Sequence, residues 1–238
     1  MLFSPQMPLQ LEPTREQSFE NFVPGPNEPA VASLQAALAE PGSQVYLTGP
    51  PGSGKSHLLN ALCLAARRQG LTAFYAGLAT LPGDAHGLLD GLEELDLLCV
   101  DDMQLVAGDP AWETALFHCI NRLRERQGRW VVASQVRLRA LPVALPDLAS
   151  RLQWGLRLAM QPLADEDKLR VLEQHAMALG IDLPDEVCRY LIRRSSRHML
   201  ELTRLLERLQ HAAFVSKRRI TVPMAREIIA DHEEEGAL

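Results

Sequence analysis

Residues Val45–Ser56 read VYLTGPPGSGKS, and the reading of the whole chain works outward from them. Val45, Tyr46 and Leu47 form a short apolar run with β propensity. Gly49 and Gly54 bracket a Gly/Pro/Ser loop, and Lys55-Ser56 opens an amphipathic run from Leu58 to Ala66. Strand, loop and helix start match G-x-x-x-x-G-K-[ST] residue for residue. Gly52 and Gly54, with Ser53 between them, permit backbone angles that a side chain forbids, so consecutive N–H groups converge on a phosphate. Pro50 and Pro51 have no N–H, which leaves the donors to come from Gly52 onward. The helix beginning near Lys55 adds the partial positive charge of its N-terminus. Lys55 is expected to reach the β/γ-phosphates, and the Ser56 hydroxyl to ligate Mg²⁺.

A chance glycine-rich turn is the bland alternative, and a second motif argues against it. Leu95–Met103, LDLLCVDDM, is a buried-strand run ending in two acids. A carboxylate at the tip of a neighbouring strand is what a phosphate-bound Mg²⁺ needs on its far side. Asp101 is assigned to the metal and Asp102 to polarising the attacking water, with a helix cap or a solvated acid as the alternative for Asp102. A bound nucleoside triphosphate, or its diphosphate product, is the expectation.

The chain of 238 residues suffices for one large domain, or a medium one with a small one. With 47% hydrophobic and 23% charged residues it is ordinary globular material. A net charge of −6 argues against an extended nucleic-acid footprint. No segment approaches the roughly 18 apolar residues that span a membrane, and the first residues lack a basic-then-apolar signal pattern. Cys63, Cys99, Cys119 and Cys188 are scattered through apolar runs. They are expected as buried thiols in a reducing cytoplasm.

Taken in order, residues 1–30 carry six prolines, Pro5, Pro8, Pro13, Pro24, Pro26 and Pro29, which break helices and central strands. Gln6, Met7, Leu9 and Leu11 place polar and apolar anchors on this stiffened tail. It either docks in a partner's groove or folds onto its own domain. Ser18–Asn27, SFENFVPGPN, precedes a helix near Glu28–Leu38. Its Phe22 and Val23 either line a base pocket or plug the core, and His57 joins them from the start of the next helix. Further strands are expected at Leu71–Ala76, Leu97–Val100, Trp130–Ser134 and Leu156–Met160, with helices at Asp84–Leu92 and Pro110–Arg126. Strands alternating with helices give a five-stranded parallel sheet covered on both faces, an α/β fold. Gln135 follows the fourth strand, where it can contact a γ-phosphate or the lytic water. The loop Asp147–Trp154 places Arg151 between apolar neighbours, to stabilise a phosphoryl group of another subunit or to pair with Asp147. From Asp165 the pattern is helical only: Asp165–Leu179, Pro184–Arg194, Met199–Phe214 and Pro223–Ala230. The expected division is an extended tail over residues 1–17, a nucleotide-binding domain over 18–162, and a small all-α domain over 163–238.

A phosphate-loop αβα domain followed by a helical lid resembles the AAA+ arrangement. SFENFVPGPN, LLCVDDMQ, DLASRLQWG and QPLADEDK resemble the lead-in segment, metal-binding strand, arginine-finger segment and lid start of the replication initiator DnaA. The flanking interaction and helix-turn-helix domains of DnaA are not expected here. QMPLQL is similar to the Q-x-x-L-type motif that binds the β sliding clamp of bacterial DNA polymerase III. The combination resembles the Hda family, the DnaA-related regulatory inactivators of DnaA.

That resemblance implies ADP or ATP with Mg²⁺ as cofactors, held by Gly49, Gly52, Ser53, Gly54, Lys55, Ser56 and Asp101. It implies DnaA and the sliding clamp as partners, DNA reached only through them, and a possible homo-oligomer. Arg151 becomes a finger presented to DnaA-bound ATP, and Gln6, Met7, Leu9 and Leu11 the clamp anchors. There are departures. The lid arginine that AAA+ proteins set against the γ-phosphate falls where Leu200 stands, with Arg197 or Arg204 as substitutes, and the fourth-strand sensor is Gln135 rather than Asn or Asp. Both weaken the case for efficient hydrolysis by this chain itself. The competing reading is a DNA-dependent helicase loader of the DnaC/IstB type.

Overall fold

The computed structural model describes residues 17–194 and 199–235. Five strands, β1 (Gln44–Thr48), β2 (Ala73–Gly77), β3 (Leu97–Asp101), β4 (Arg129–Ser134) and β5 (Leu156–Ala159), form one sheet in the order β2-β3-β4-β1-β5. Every neighbouring pair is parallel. The expected α/β class and its five-stranded sheet are therefore present. A parallel sheet needs cover on both faces, and the pleat of β1 supplies it by alternation. Val45 and Leu47 pack with Leu34 of α1 (Glu28–Ala39) and Leu58 and Leu62 of α2 (Lys55–Arg68). Tyr46 faces the other way, with Leu116 and Ile120 of α3 (Pro110–Glu125) and Leu148 and Leu152 of α4 (Pro146–Leu152). All four cysteines are buried free thiols.

Two expectations need correction. Asp84–Leu92 is not a helix: the chain makes short 3₁₀ turns at Ala85–Leu89 and Leu92–Glu94. Gly87 and Gly91 dilute helix propensity there, and Gly91 takes a left-handed φ of 90° that ends any helical run. Conversely, the stretch around Asp147 is not a loop. Pro146 at the first helical position, Asp147 in the first turn and buried Leu148 and Leu152 four apart make α4. The signals were in the sequence, but seven residues are too few for periodicity to register.

Beyond β5 the chain forms α5 (Asp165–Ala178), α6 (Asp185–Arg194), α7 (Met199–Ser216) and α8 (Val222–Glu235). They close on a separate core that includes Leu172, Val187, Leu191, Leu202, Leu206 and Leu209. Acidic first turns on α5 and α6 suit their N-terminal dipoles. Buried Asn27 ties the sheet to this bundle's approach. Its amide donates to the Gln161 carbonyl at 3.0 Å and its oxygen accepts the Gln161 N–H at 2.7 Å.

Glu113 holds the opposite side together. It is 1% exposed, yet its carboxylate accepts the N–H groups of Gly108 (2.6 Å), Ala144 (3.0 Å) and Leu145 (2.6 Å). These donors come from the loops flanking α3 and α4, so the starting angle of α4 depends on one carboxylate. Glu113→Gln keeps the volume but turns an amide donor toward backbone donors. We expect a loss of about 1.5–3 kcal/mol, the worth of a hydrogen bond to a charged group, measured by urea unfolding.

Candidate functional site

Parallel pairing brings the carboxyl ends of all five strands to one edge, and the sequence-expected site residues of the sheet gather there. β1 runs into the loop Gly49–Gly54, and Lys55 begins α2. Gly54 sits at φ +92°, and a Cβ there would stand 2.7 Å from the Phe22 ring, so both conformation and space require glycine. Among the described residues, the N–H groups of Gly52 and Gly54 find no protein acceptor, and the buried Ser53 hydroxyl has no partner. Lys55 is 6% exposed, and its ammonium donates to the carbonyls of Gly49 (2.8 Å) and Pro50 (3.0 Å). Burial lowers its pKa, and the negative charges of Asp101 and Asp102 oppose that shift. A buried cation beside free N–H groups and an orphaned hydroxyl is a donor set suited to polyphosphate.

Asp101 ends β3 and is 1% exposed. Its carboxylate accepts the Tyr75 hydroxyl at 3.0 Å and the Asp102 N–H at 2.9 Å. Burial, then the adjacent Asp101 charge, pushes the Tyr75 phenol well above its usual pKa, so Tyr75 remains a donor. Ser56, in the first turn of α2, lies on the same side, its hydroxyl easing that shift. Carboxylate and hydroxyl together fit Mg²⁺, which binds through one or two protein oxygens and takes the rest from phosphate and water.

Asp102 adopts the left-handed region at φ +58°, which Asp tolerates better than most residues. Neither bland alternative describes it: it makes no side-chain cap to the turn that follows, and it is not simply solvated. Its Oδ1 accepts the Gln104 amide at 2.8 Å and lies 3.5 Å from the Gln135 amide. The Gln104 oxygen in turn accepts the Ser134 hydroxyl (2.9 Å) and the Gln135 N–H (3.0 Å). A polar bridge thus spans the tips of β3 and β4.

The lead-in segment leans on this edge. Phe22 lies against Gly54 and meets the His57 ring at a centroid distance of 5.2 Å. Val23 is buried. The His57 Nε2 is 2.9 Å from the Ser18 carbonyl oxygen, a contact that fastens the lead-in segment to α2. Gln6, Met7, Leu9, Leu11 and Arg197 lie outside the described residues. Leu200 is on α7 and exposed.

Arg151 is not at this edge. It occupies the last turn of α4, three residues before Trp154 and five before the start of β5. Val45 pairs with Leu156, so Arg151 belongs to the amino end of the sheet, about 13 Å of strand from the phosphate loop. Its guanidinium stacks over Trp154 at 4.3 Å. It makes no ion pair with Asp147 among the described residues.

Tyr75 and Gln104 were missed as the partners of Asp101 and Asp102. Gln104 stands two residues past Asp102, but the sequence gives no reason to fold it back. Tyr75 needed the register: it pairs with Cys99, which puts it diagonal to Asp101 on one face.

Comparison with known proteins agrees with this fold. Residues 14–149, more than half of the chain, match the family described as IstB-like ATP binding protein, and residues 165–229 match the lid domain of Hda. Domain III of the Thermotoga maritima replication initiation protein DnaA superposes with a TM-score of 0.82 at 24% identity, covering 91% of this chain and 97% of that one. AMPPCP-bound DnaA from Aquifex aeolicus gives 0.68 at 23%, covering 84% and 66%. The Thermotoga maritima RuvB Holliday junction branch migration motor gives 0.67 at 22%, covering 91% and 72%. At these identities the structural likeness is one of fold. The chain belongs to the IstB-like ATP-binding proteins and, with its DnaA-like sheet and Hda-type lid, is an Hda-like AAA+ protein.

Proposed function

We propose that this protein is a negative regulator of replication initiation, acting on DnaA. Held by the β sliding clamp, it presents Arg151 to ATP bound on DnaA and drives its hydrolysis. The observation that carries the reading is the placement of Arg151 at the amino end of the sheet, away from this chain's own phosphate loop. A guanidinium there serves a nucleotide on another subunit, where a finger in trans is worth roughly 10³–10⁵ in rate.

On this reading the chain holds ADP or ATP itself. Lys55 and the N–H groups from Gly52 to Ser56 take the phosphates, with Ser56 and Asp101 for Mg²⁺, which when bound neutralises β/γ-phosphate charge. Asp102 and Gln135 stand on the γ-phosphate side, Phe22, Val23 and His57 toward the base, and Arg197 comes from the lid. Turnover by the chain is slow, because Asp102 is engaged by Gln104 and Leu200 replaces a lid arginine. Gln6, Met7, Leu9 and Leu11 anchor a tail over residues 1–17 to the clamp, ahead of a nucleotide domain over 18–162 and a lid over 163–238. The protein works in the cytoplasm, reaches DNA through its partners, and self-associates if nucleotide bridges two copies.

A second reading, a DNA-dependent helicase loader, is favoured by the IstB-like match over residues 14–149. ATP hydrolysis by DnaA, measured with this protein and DNA-loaded clamp, separates the two. Stimulation requiring both the clamp and Arg151 supports the regulator. ATPase by this chain that rises with single-stranded DNA, and no effect on DnaA, supports the loader.

Arg151→Ala is expected to lower the stimulated rate at least about 10³-fold while leaving nucleotide binding intact. Lys55→Ala is expected to weaken ADP binding by roughly ten- to a hundredfold in calorimetry, the worth of one or two charge-assisted hydrogen bonds. Replacing Gln6 and Leu9 together by Ala should abolish clamp retention in gel filtration and spare ADP affinity. Persistent clamp binding would overturn the tail assignment.

A further inference from the structure

The amino end of the sheet carries a second cation that the proposed finger leaves unexplained. Arg124, in the last turn of α3, places its guanidinium carbon 4.4 Å from the centre of the Trp154 ring. Arg151, from the last turn of α4, stands 4.3 Å from that same centre. Two like charges share one indole, and among the described residues neither makes an ion pair. Glu125 lines the adjoining cleft of about 420 Å³ with Asn121, Arg124 and Arg151, yet is paired with neither.

Two like charges drawn to one ring also repel each other, to the extent that solvent does not screen them. The backbone holds the ring in place all the same. Trp154 donates its N–H to the Arg151 carbonyl at 3.0 Å, closing the end of α4. The next residue, Gly155, adopts φ +89°, where a Cβ would collide with the Gln44 carbonyl. Trp154 is 40% exposed, large for an indole without a partner surface. An arriving anion would relieve the repulsion and cover the ring at once. Guanidinium forks match phosphate oxygens, and two of them suit the multiple charges of a polyphosphate end.

We propose that Arg124, Trp154 and Arg151 form a two-arginine fork for the terminal phosphates of a nucleotide bound to another subunit. Arg124 is its second cation and Trp154 its positioning residue. This rests on the reading of Arg151 as a finger in trans and adds a residue on a different helix to it.

The test uses the full chain, DNA-loaded clamp and DnaA-bound ATP, titrating the protein and its variants Arg124→Ala, Trp154→Leu, Trp154→Phe and Arg151→Ala. Arg124→Ala and Trp154→Leu should each lower the maximal stimulated rate by roughly two- to thirtyfold, the range of cation–π contacts, without moving the half-saturating concentration. Trp154→Phe, which keeps a π face, should recover most of the rate. If Arg151→Ala abolishes stimulation while Arg124→Ala and Trp154→Leu match the parent, the fork is wrong and the finger stands. A change in half-saturation alone also overturns the fork, since it marks simple contact. Arg151→Ala matching the parent removes the finger and the fork together. Should Trp154→Leu melt at a lower temperature, Arg124→Ala, at an exposed position, decides alone.

Discussion

Parallel pairing of β1 between β4 and β5 is the constraint on which the site geometry depends. In such a sheet every carboxyl end lies at one edge and every amino end at the other. The phosphate loop, Asp101, Asp102 and Gln135 arrive together because they follow β1, β3 and β4. Arg151 and Arg124 arrive at the opposite edge because one precedes β5 and the other ends the helix before β4. No side chain is long enough to work at both edges. One fold therefore has cationic side chains at two poles, a buried Lys55 at one and Arg124 and Arg151 beside Trp154 at the other.

The poles are built by different physics. Around Lys55, burial lowers the ammonium's pKa, and the charges of Asp101 and Asp102 oppose that shift. The surrounding groups sit on the Gly54 turn and on the tip of β3. Around Trp154 the two guanidinium groups rest on a partly exposed aromatic surface. That pole is held from behind: Glu113 pins the chain leading into α4 through three backbone donors. A carboxylate in the core thus ties down the start of the helix that ends in Arg151.

How much of this was legible depended on the range over which residues act. The phosphate loop and the acidic strand tip are local patterns, with every participant within a dozen residues, and they were read directly. β1, β3 and β4 were readable because buried parallel strands are apolar runs, and the half-exposed β2 and β5 because they too are short apolar stretches. The seven residues of α4 were too short for periodicity and were read as a loop, although Pro146 and Asp147 mark a helix start. Partners such as Tyr75 for Asp101, or Arg124 for Trp154, required the register and the helix ends. Those are set by tertiary packing, so no spacing in the chain announces them.

The Asn27–Gln161 clasp has a consequence for the order of assembly. Its two hydrogen bonds join residues 134 apart in sequence, and closing a loop that long carries an entropic cost that no local contact repays. Gln161 is brought into reach by its neighbour Met160, whose N–H bonds Thr48 at the tip of β1. The clasp therefore closes only after β5, the last strand synthesised, has docked on β1. The helical bundle, which closes on a core of its own, follows directly from the residue that makes this clasp.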